Sequence, residues 1–137
     1  MAENKPVFVL DSFAVLAYFQ AEDGGERVLE LLNNAREDKV ELMMSLINAG
    51  EVVYLTARNR GHKTAESLLK NLRNLPITLF EASEERIPAS AWIKANHAIS
   101  YADSFAVQLA QELKATLVTG DPEFEVVKDL QVLWLVE

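Results

Sequence analysis

The sequence contains no cysteine. That excludes a disulfide scaffold, a Cys-ligated zinc site and thiol catalysis. It fits a reducing compartment, and a cytoplasmic location is expected. Long hydrophobic runs are also missing. Phe13 to Phe19 is the longest uncharged apolar stretch, far short of the ~18–20 residues a membrane span needs, so no membrane partner is expected. The opening residues Met1-Ala2-Glu3-Asn4-Lys5-Pro6 show no basic region followed by a long apolar one, so no secretory signal is expected. Positive charge is scarce: 13 Lys and Arg stand against 21 Asp and Glu, a formal charge of −8. Proteins that hold nucleic acid mainly by charge are basic. A polyanion bound here therefore needs metal cations or a local basic patch. No Gly/Pro/Ser-rich linker, internal repeat or low-complexity tract divides the chain.

What is present is apolar and patterned. Half of the 137 residues are hydrophobic, which argues against disorder and predicts a single domain over residues 1–137. Val7-Phe8-Val9-Leu10 is uniformly apolar and β-rich, as a strand buried on both faces would be. Phe13 to Gln20 predicts a helix. A second helix follows Gly24-Gly25, with Val28, Leu29, Leu31, Leu32 and Ala35 turned inward. Val40 to Met44 predicts a strand. Ser45 caps a long helix that carries Leu46, Ile47, Ala49, Val52, Val53 and Leu55 and ends near Gly61. Helix Lys63 to Asn74, strand Ile77 to Phe80, and a helix from Ser83 to about His97 bent at Pro88 follow. A helix opens at Ser100 and runs through Leu113. Strands Ala115 to Thr119 and Gln131 to Val136 close the chain. Strands alternating with helices predict an α/β fold, a central five-stranded and mostly parallel sheet with helices on both faces. Ligands bind such sheets at the carboxyl edge.

Four acids fall at or near that edge. Asp11 follows the first strand and Asp121 the fourth. Asp103 sits in the first turn of the helix before the fourth strand. Glu51 lies in the third helix between Ile47 and Leu55, with Asn48 one turn before it. A carboxylate on an apolar stripe is costly unless a cation meets it. Taken singly, Asp11 and Asp121 read equally as helix N-caps, Asp121 standing before Pro122, and Ser100-Tyr101-Ala102-Asp103 fits a capping box. Taken jointly, no Lys or Arg stands within any of the four motifs. Unpaired carboxylates brought together repel, and a hard divalent cation such as Mg²⁺ or Mn²⁺ resolves the repulsion with oxygen ligands.

These segments resemble a known family. Val7-Phe8-Val9-Leu10-Asp11-Ser12 is similar to the first strand and first acid of PIN-domain ribonucleases. Ser45-Leu46-Ile47-Asn48-Ala49-Gly50-Glu51-Val52 is similar to their second motif, Tyr101-Ala102-Asp103-Ser104-Phe105-Ala106 to the third, and Leu117-Val118-Thr119-Gly120-Asp121-Pro122-Glu123-Phe124 to the fourth. The acids are spaced by 40, 52 and 18 residues. Four motifs in order at this spacing are specific, whereas each alone is not. Ser12 stands where Thr is more usual, and Glu123 and Glu125 lie close to Asp121. The size resembles the VapC-type toxins of prokaryotic toxin–antitoxin operons. The resemblance implies a PIN-like three-layer α/β/α sandwich and an endoribonuclease using one or two Mg²⁺ or Mn²⁺ ions. Asp11, Asp103 and Asp121 would hold the metal, Glu51 directly or through water, and metal-activated water would hydrolyse RNA. Ser12, Thr119 and Asn48 would orient these ligands, Asn48 as a partner of Glu51. The implied partners are an RNA substrate, a cognate antitoxin and a second copy in a homodimer.

The alternatives are a housekeeping PIN-fold RNA-processing nuclease, a PIN-like module that binds RNA or protein without cutting, and a receiver-like phosphotransfer domain. The last is disfavoured by Ser12 directly after Asp11 and by Glu51 inside a helix. Arg58, Arg60, His62 and Lys63 form the compact basic cluster, readable as a helix end where cations suit the dipole or as a phosphate contact. His97 reads as structural. Phe13, Tyr18 and Phe19 read as core, or as a groove for a partner segment, and Trp92 and Trp134 as candidates for a dimer interface.

Overall fold

Val7-Phe8-Val9-Leu10 forms strand β1 (Val7–Leu10) and is paired on both sides. That explains a run with no polar alternation: both edges and both faces are covered. The computed structural model describes residues 4–136. Met1 to Glu3, part of the stretch read for a secretory signal, lie outside the described residues, as does Glu137.

From β1 the chain runs through α1 (Ser12–Phe19), α2 (Gly25–Arg36), β2 (Glu41–Ser45), α3 (Leu46–Arg60), α4 (His62–Arg73) and β3 (Thr78–Phe80). It returns through α5 (Arg86–Asn96), α6 (Tyr101–Leu113) and β4 (Thr116–Thr119), then a 3₁₀ helix (Pro122–Val126) and β5 (Val132–Trp134). The sheet order is β3-β2-β1-β4-β5, and each neighbouring pair is parallel. The chain first winds outward from β1 through β2 to β3, then crosses to the other side for β4 and β5. The strand order therefore reverses between β1 and β4, the position where parallel sheets open a crevice at their carboxyl ends.

Strand alternation divides the core between two faces. Leu10, Leu42, Met44 and Val118 pack with Val15 of α1, Leu32 of α2, Val52 of α3 and Leu72 of α4. Val9 and Leu117 point the other way and pack with Ala106, Leu109 and Ala110 of α6 and with Phe124 of the 3₁₀ helix. The result is the three-layer α/β/α sandwich predicted above. None of the helices among the described residues is long and apolar enough to cross a membrane.

Some expectations need correction. The fifth helix begins at Arg86, with Ser83 Oγ accepting from its amide at 3.1 Å. Pro88 thus falls in the first turn, where its missing N–H costs nothing, and it does not bend a longer helix. Leu29, predicted inward, is exposed, as is Leu46 at the start of α3. α2 turns Val28, Leu31 and Leu32 to the sheet, leaving Leu29 on the far side of the wheel. α3 buries Asn48, Ala49, Val52 and Thr56, so its inner stripe is more polar than its apolar content suggested. Val40, Ile77, Gln131 and Val136 lie just outside the strands, within the usual scatter of element ends.

Gly25 opens α2 hard against α1. A Cβ there would stand 2.5 Å from the Ala17 carbonyl oxygen and 3.1 Å from its carbon. Those are backbone atoms and cannot rotate away. Gly25→Ala is expected to cost about 2 kcal/mol and to lower the melting temperature by roughly 5–10 °C, as read by thermal circular dichroism. An unchanged melting temperature would show that the α1–α2 contact is loose.

Candidate metal centre

Asp11 is the first residue after β1 and is almost fully buried. Its Oδ1 caps α1, accepting from the Ala14 amide at 2.8 Å. Its Oδ2 accepts a hydrogen bond from the Thr119 hydroxyl, across the β1–β4 switch. The same Thr119 oxygen accepts from the Asp121 amide at 3.0 Å. Thr119 thus links the first acid to the turn that carries the fourth. Asp121 in turn caps the 3₁₀ helix, its Oδ1 accepting from the Glu123 amide at 2.9 Å. Asp11 and Asp121 are helix caps and also acids facing the same edge, so the two readings of each residue hold together.

Asp103 lies in the first turn of α6, where Ser100 Oγ accepts from its amide at 3.1 Å. Half of the predicted capping box is present. The reciprocal half is not formed by Asp103, because the Ser100 amide donates to Glu123 Oε1 at 3.4 Å. That frees the Asp103 carboxylate to face the turn after β4. One carboxylate oxygen from each of Asp103, Asp121 and Glu123 lies within 4.8 Å of the others. Glu123 was seen in the sequence only as a neighbour of Asp121. The signal that could have singled it out is its place beside the cap of a short helix that follows the fourth motif.

Glu51 sits half-buried on α3. Its Oε1 is buried with no hydrogen-bond partner. Asn48 does not serve as its partner. Fully buried, Asn48 donates from Nδ2 to the Ala102 carbonyl at 3.0 Å. It therefore pins α3 to the start of α6, one residue before Asp103, and its Oδ1 has no partner. Ser12 is buried at the first position of α1, beside Asp11.

Like charge shapes the electrostatics here. The ion pairs among the described residues join Lys5 to Asp38, Lys39 to Glu37 and Arg86 to Glu112, and none includes one of these five acids. Burial pushes the Asp11 carboxyl up from 3.8 to about 7. The Thr119 and Ala14 hydrogen bonds oppose the rise, and the charges of Asp121 and Glu51 add to it. Burial likewise raises Asp103 from 3.8 to about 7, helped by a shared hydrogen bond with Glu123 and by the charges of Asp11 and Asp121. Asp121 and Glu51 thus act on Asp11, and Asp11 and Asp121 on Asp103, and three of the five carboxylates, Asp103, Asp121 and Glu123, are in one tight group. An all-oxygen donor set with an orphaned buried oxygen fits a hard divalent cation. It does not fit zinc held by Cys or His.

The other polar candidates lie elsewhere. His97, the residue that ends α5, pairs its Nδ1 with the Ile93 carbonyl of that helix at 2.9 Å, a structural role. Arg58 and Arg60 occupy the last turn of α3, and the Arg58 guanidinium stacks over Tyr54, 5.6 Å from the ring centroid.

The comparisons bear on the family and the fold. The family model of the PIN domain matches residues 8–130. A search of curated protein sequences finds no match. Among solved structures, the fold is similar to VapBC from Salmonella typhimurium bound to DNA (TM-score 0.72, 14% identity, 93% of this chain and 97% of that one). It is also similar to VapBC2 from Rickettsia felis bound to a promoter DNA fragment (TM-score 0.70, 19% identity, 93% and 97%). A third is VapC20 from Mycobacterium tuberculosis, a sarcin–ricin-loop-cleaving toxin (TM-score 0.69, 16% identity, 89% and 95%). With the family model spanning four of the five strands and all four acids, the chain belongs to the PIN domain family.

Proposed function

We propose that the chain is a metal-dependent endoribonuclease and the toxin of a toxin–antitoxin pair acting in the cytoplasm. The observation that carries this reading is the carboxylate group Asp103, Asp121 and Glu123, beside a buried Asp11 and, among the described residues, with no Lys or Arg paired to any of them. A purely structural site would neutralise such charges. Asp11, Asp103 and Asp121, with Glu51 and Glu123, would hold one or two Mg²⁺ or Mn²⁺ ions. Bound there, the ion supplies a lowered pKa for water and a counter-charge for the phosphodiester as it is cut.

The chain's own residues do the rest. The Ala14 amide and the Thr119 hydroxyl hold Asp11 in one orientation from opposite sides, the kind of outer support that metal sites depend on. Asn48 fixes α6, and with it Asp103, against α3. Glu51 Oε1 is an unused acceptor for a cation or for a water and its proton. No His or nucleophilic hydroxyl is needed. The toxin assignment draws on the neighbours described above, and its partners would be an antitoxin segment carrying basic residues, suited to the charge of −8, and a second copy in a homodimer. Trp92 on α5, 72% exposed, is a large aromatic that could serve that contact.

Purified protein is expected to cleave a fluorophore–quencher RNA with millimolar Mg²⁺ or Mn²⁺. EDTA is expected to abolish the signal and fresh metal to restore it. Cleavage that persists in EDTA would reject metal dependence. Tight RNA binding without cleavage in any divalent metal would favour the non-catalytic module.

A further inference from the structure

Beside the acids lies a cavity of about 470 Å³ lined by Arg27, Gly120, Pro122, Glu125, Trp134 and Leu135. Gly120 and Pro122 flank Asp121, so the cavity and the metal centre share one turn as a common wall. The strand that carries Trp134 is also tied to that turn. Trp134 is in register with Thr119, and the Leu135 amide donates to the Thr119 carbonyl at 2.9 Å. The indole therefore stands on a wall fixed to the same residue whose hydroxyl holds Asp11.

The chemistry of the lining is specific. Trp134 is 38% exposed on a strand that otherwise packs into the fold. Arg27 projects from the first turn of α2, and Glu125 from the 3₁₀ helix. Among the described residues neither side chain has a hydrogen bond or an ion pair. An aromatic face, a free guanidinium and a free carboxylate in one small cavity present a stacking surface, donors and an acceptor. A phosphate alone would not suit it, because Glu125 repels one and Trp134 gives it nothing. Guanine matches all three. Its O6 and N7 accept from Arg, its N1–H and N2–H₂ donate to a carboxylate, and its ring stacks on indole. Adenine offers a carboxylate only its N6 donor, and the pyrimidines offer less stacking area. The volume lies in the range of small-ligand sites.

We propose that this cavity is a guanine subsite for the RNA strand beside the scissile phosphate, with Trp134 as the stacking platform and Glu125 and Arg27 as the base-reading pair. The assignment rests on the ribonuclease reading above and adds base specificity to it. Gly120 supports the arrangement. A Cβ there would meet Phe13 Cε1 at 2.3 Å, so the turn packs close on α1 and leaves its other side to the cavity.

The test uses the full chain with Trp92→Phe, which leaves Trp134 as the single tryptophan. Titration with 5′-GMP is expected to quench its emission saturably, with AMP, CMP and UMP at least tenfold weaker, and Glu125→Gln is expected to erase that preference. With RNA substrates, Trp134→Ala is expected to raise KM roughly ten- to a hundredfold with a much smaller change in kcat. Trp134→Phe should recover most of the loss, which a merely structural role would not require. Glu125→Gln is expected to broaden the cleavage sites. Quenching that does not distinguish GMP from AMP would overturn the assignment. So would Trp134→Ala cleaving RNA with unchanged KM and site choice, and that result would leave the nuclease intact. GMP-selective quenching in a protein that cuts no RNA would uphold the pocket and remove the nuclease.

Discussion

Asp11→Asn is expected to lower RNA cleavage by roughly 10³-fold, beyond the 10–100-fold typical of losing an outer partner of a metal ligand. The same substitution is expected to make the metal-free protein more stable at pH 8. Asn keeps the size and the Oδ1 acceptor that caps α1 through the Ala14 amide, and Asn is as good a cap as Asp. It turns the Oδ2 that accepts from the Thr119 hydroxyl into an amide that can donate to it, and it removes a charge buried next to Asp121 and Glu51 that has no cationic partner among the described residues. The loss in activity and the gain in stability therefore share one cause. Single-turnover cleavage in Mg²⁺ and thermal melting in EDTA measure the two effects. Wild-type cleavage by Asp11→Asn would remove Asp11 from the site. Lost cleavage together with lost stability would show that Asp11 matters as a structural cap alone.

The second large effect is in pH and metal together. In the unfolded chain Asp11 and Asp103 ionise near 3.8; in the folded, metal-free protein they do so at about 7. Between those values the folded state holds protons that the unfolded state has released. Stability must then fall as pH rises from about 4 to about 7 and level off above it, the reverse of the usual acid denaturation of salt-bridged carboxylates. The melting temperature in EDTA is expected to be clearly higher at pH 5 than at pH 8. Millimolar Mg²⁺ or Mn²⁺ at pH 8 should restore it, by about 2.7 kcal/mol at a hundred times the dissociation constant. At pH 5 protons compete for the same oxygens, and the metal should change little. A metal-free melting temperature that climbs from pH 5 to pH 8 would mean that the acids are paired or wet.

Much of the sheet was legible because β1, β2 and β4 are short apolar runs bounded by caps, and a doubly wound sheet follows from their alternation with helices. The four acids were legible through motif and spacing, and Thr119 through its place before Gly120 and Asp121. What escaped depends on three-dimensional neighbours. Asn48 and Glu51 share a helical face, which suggested that they pair, but the start of α6 lies nearer and takes the Asn48 amide. Asp103 fitted a capping box, yet Glu123 supplies the reciprocal acceptor, a contact between residues 23 apart that no local pattern encodes. Trp134 and Arg27 come together because β5 pairs with β4 at the far end of the chain, an outcome of strand order alone. Pro88 and Leu29 were misread for a simpler reason: the start of α5 and the phase of α2 shift which residue each helix hides.

Asp11, Asp103 and Asp121 are all tied into helix starts, Asp11 and Asp121 through a side-chain oxygen and Asp103 through its amide. The backbone that shapes the centre is thus the backbone that begins those helices, and it is in place before any ion arrives. Loading an ion there would call for no folding step, so little of its binding energy would go into ordering the chain. A positively charged side chain inserted into the hollow would meet the same ready-made ring of oxygens.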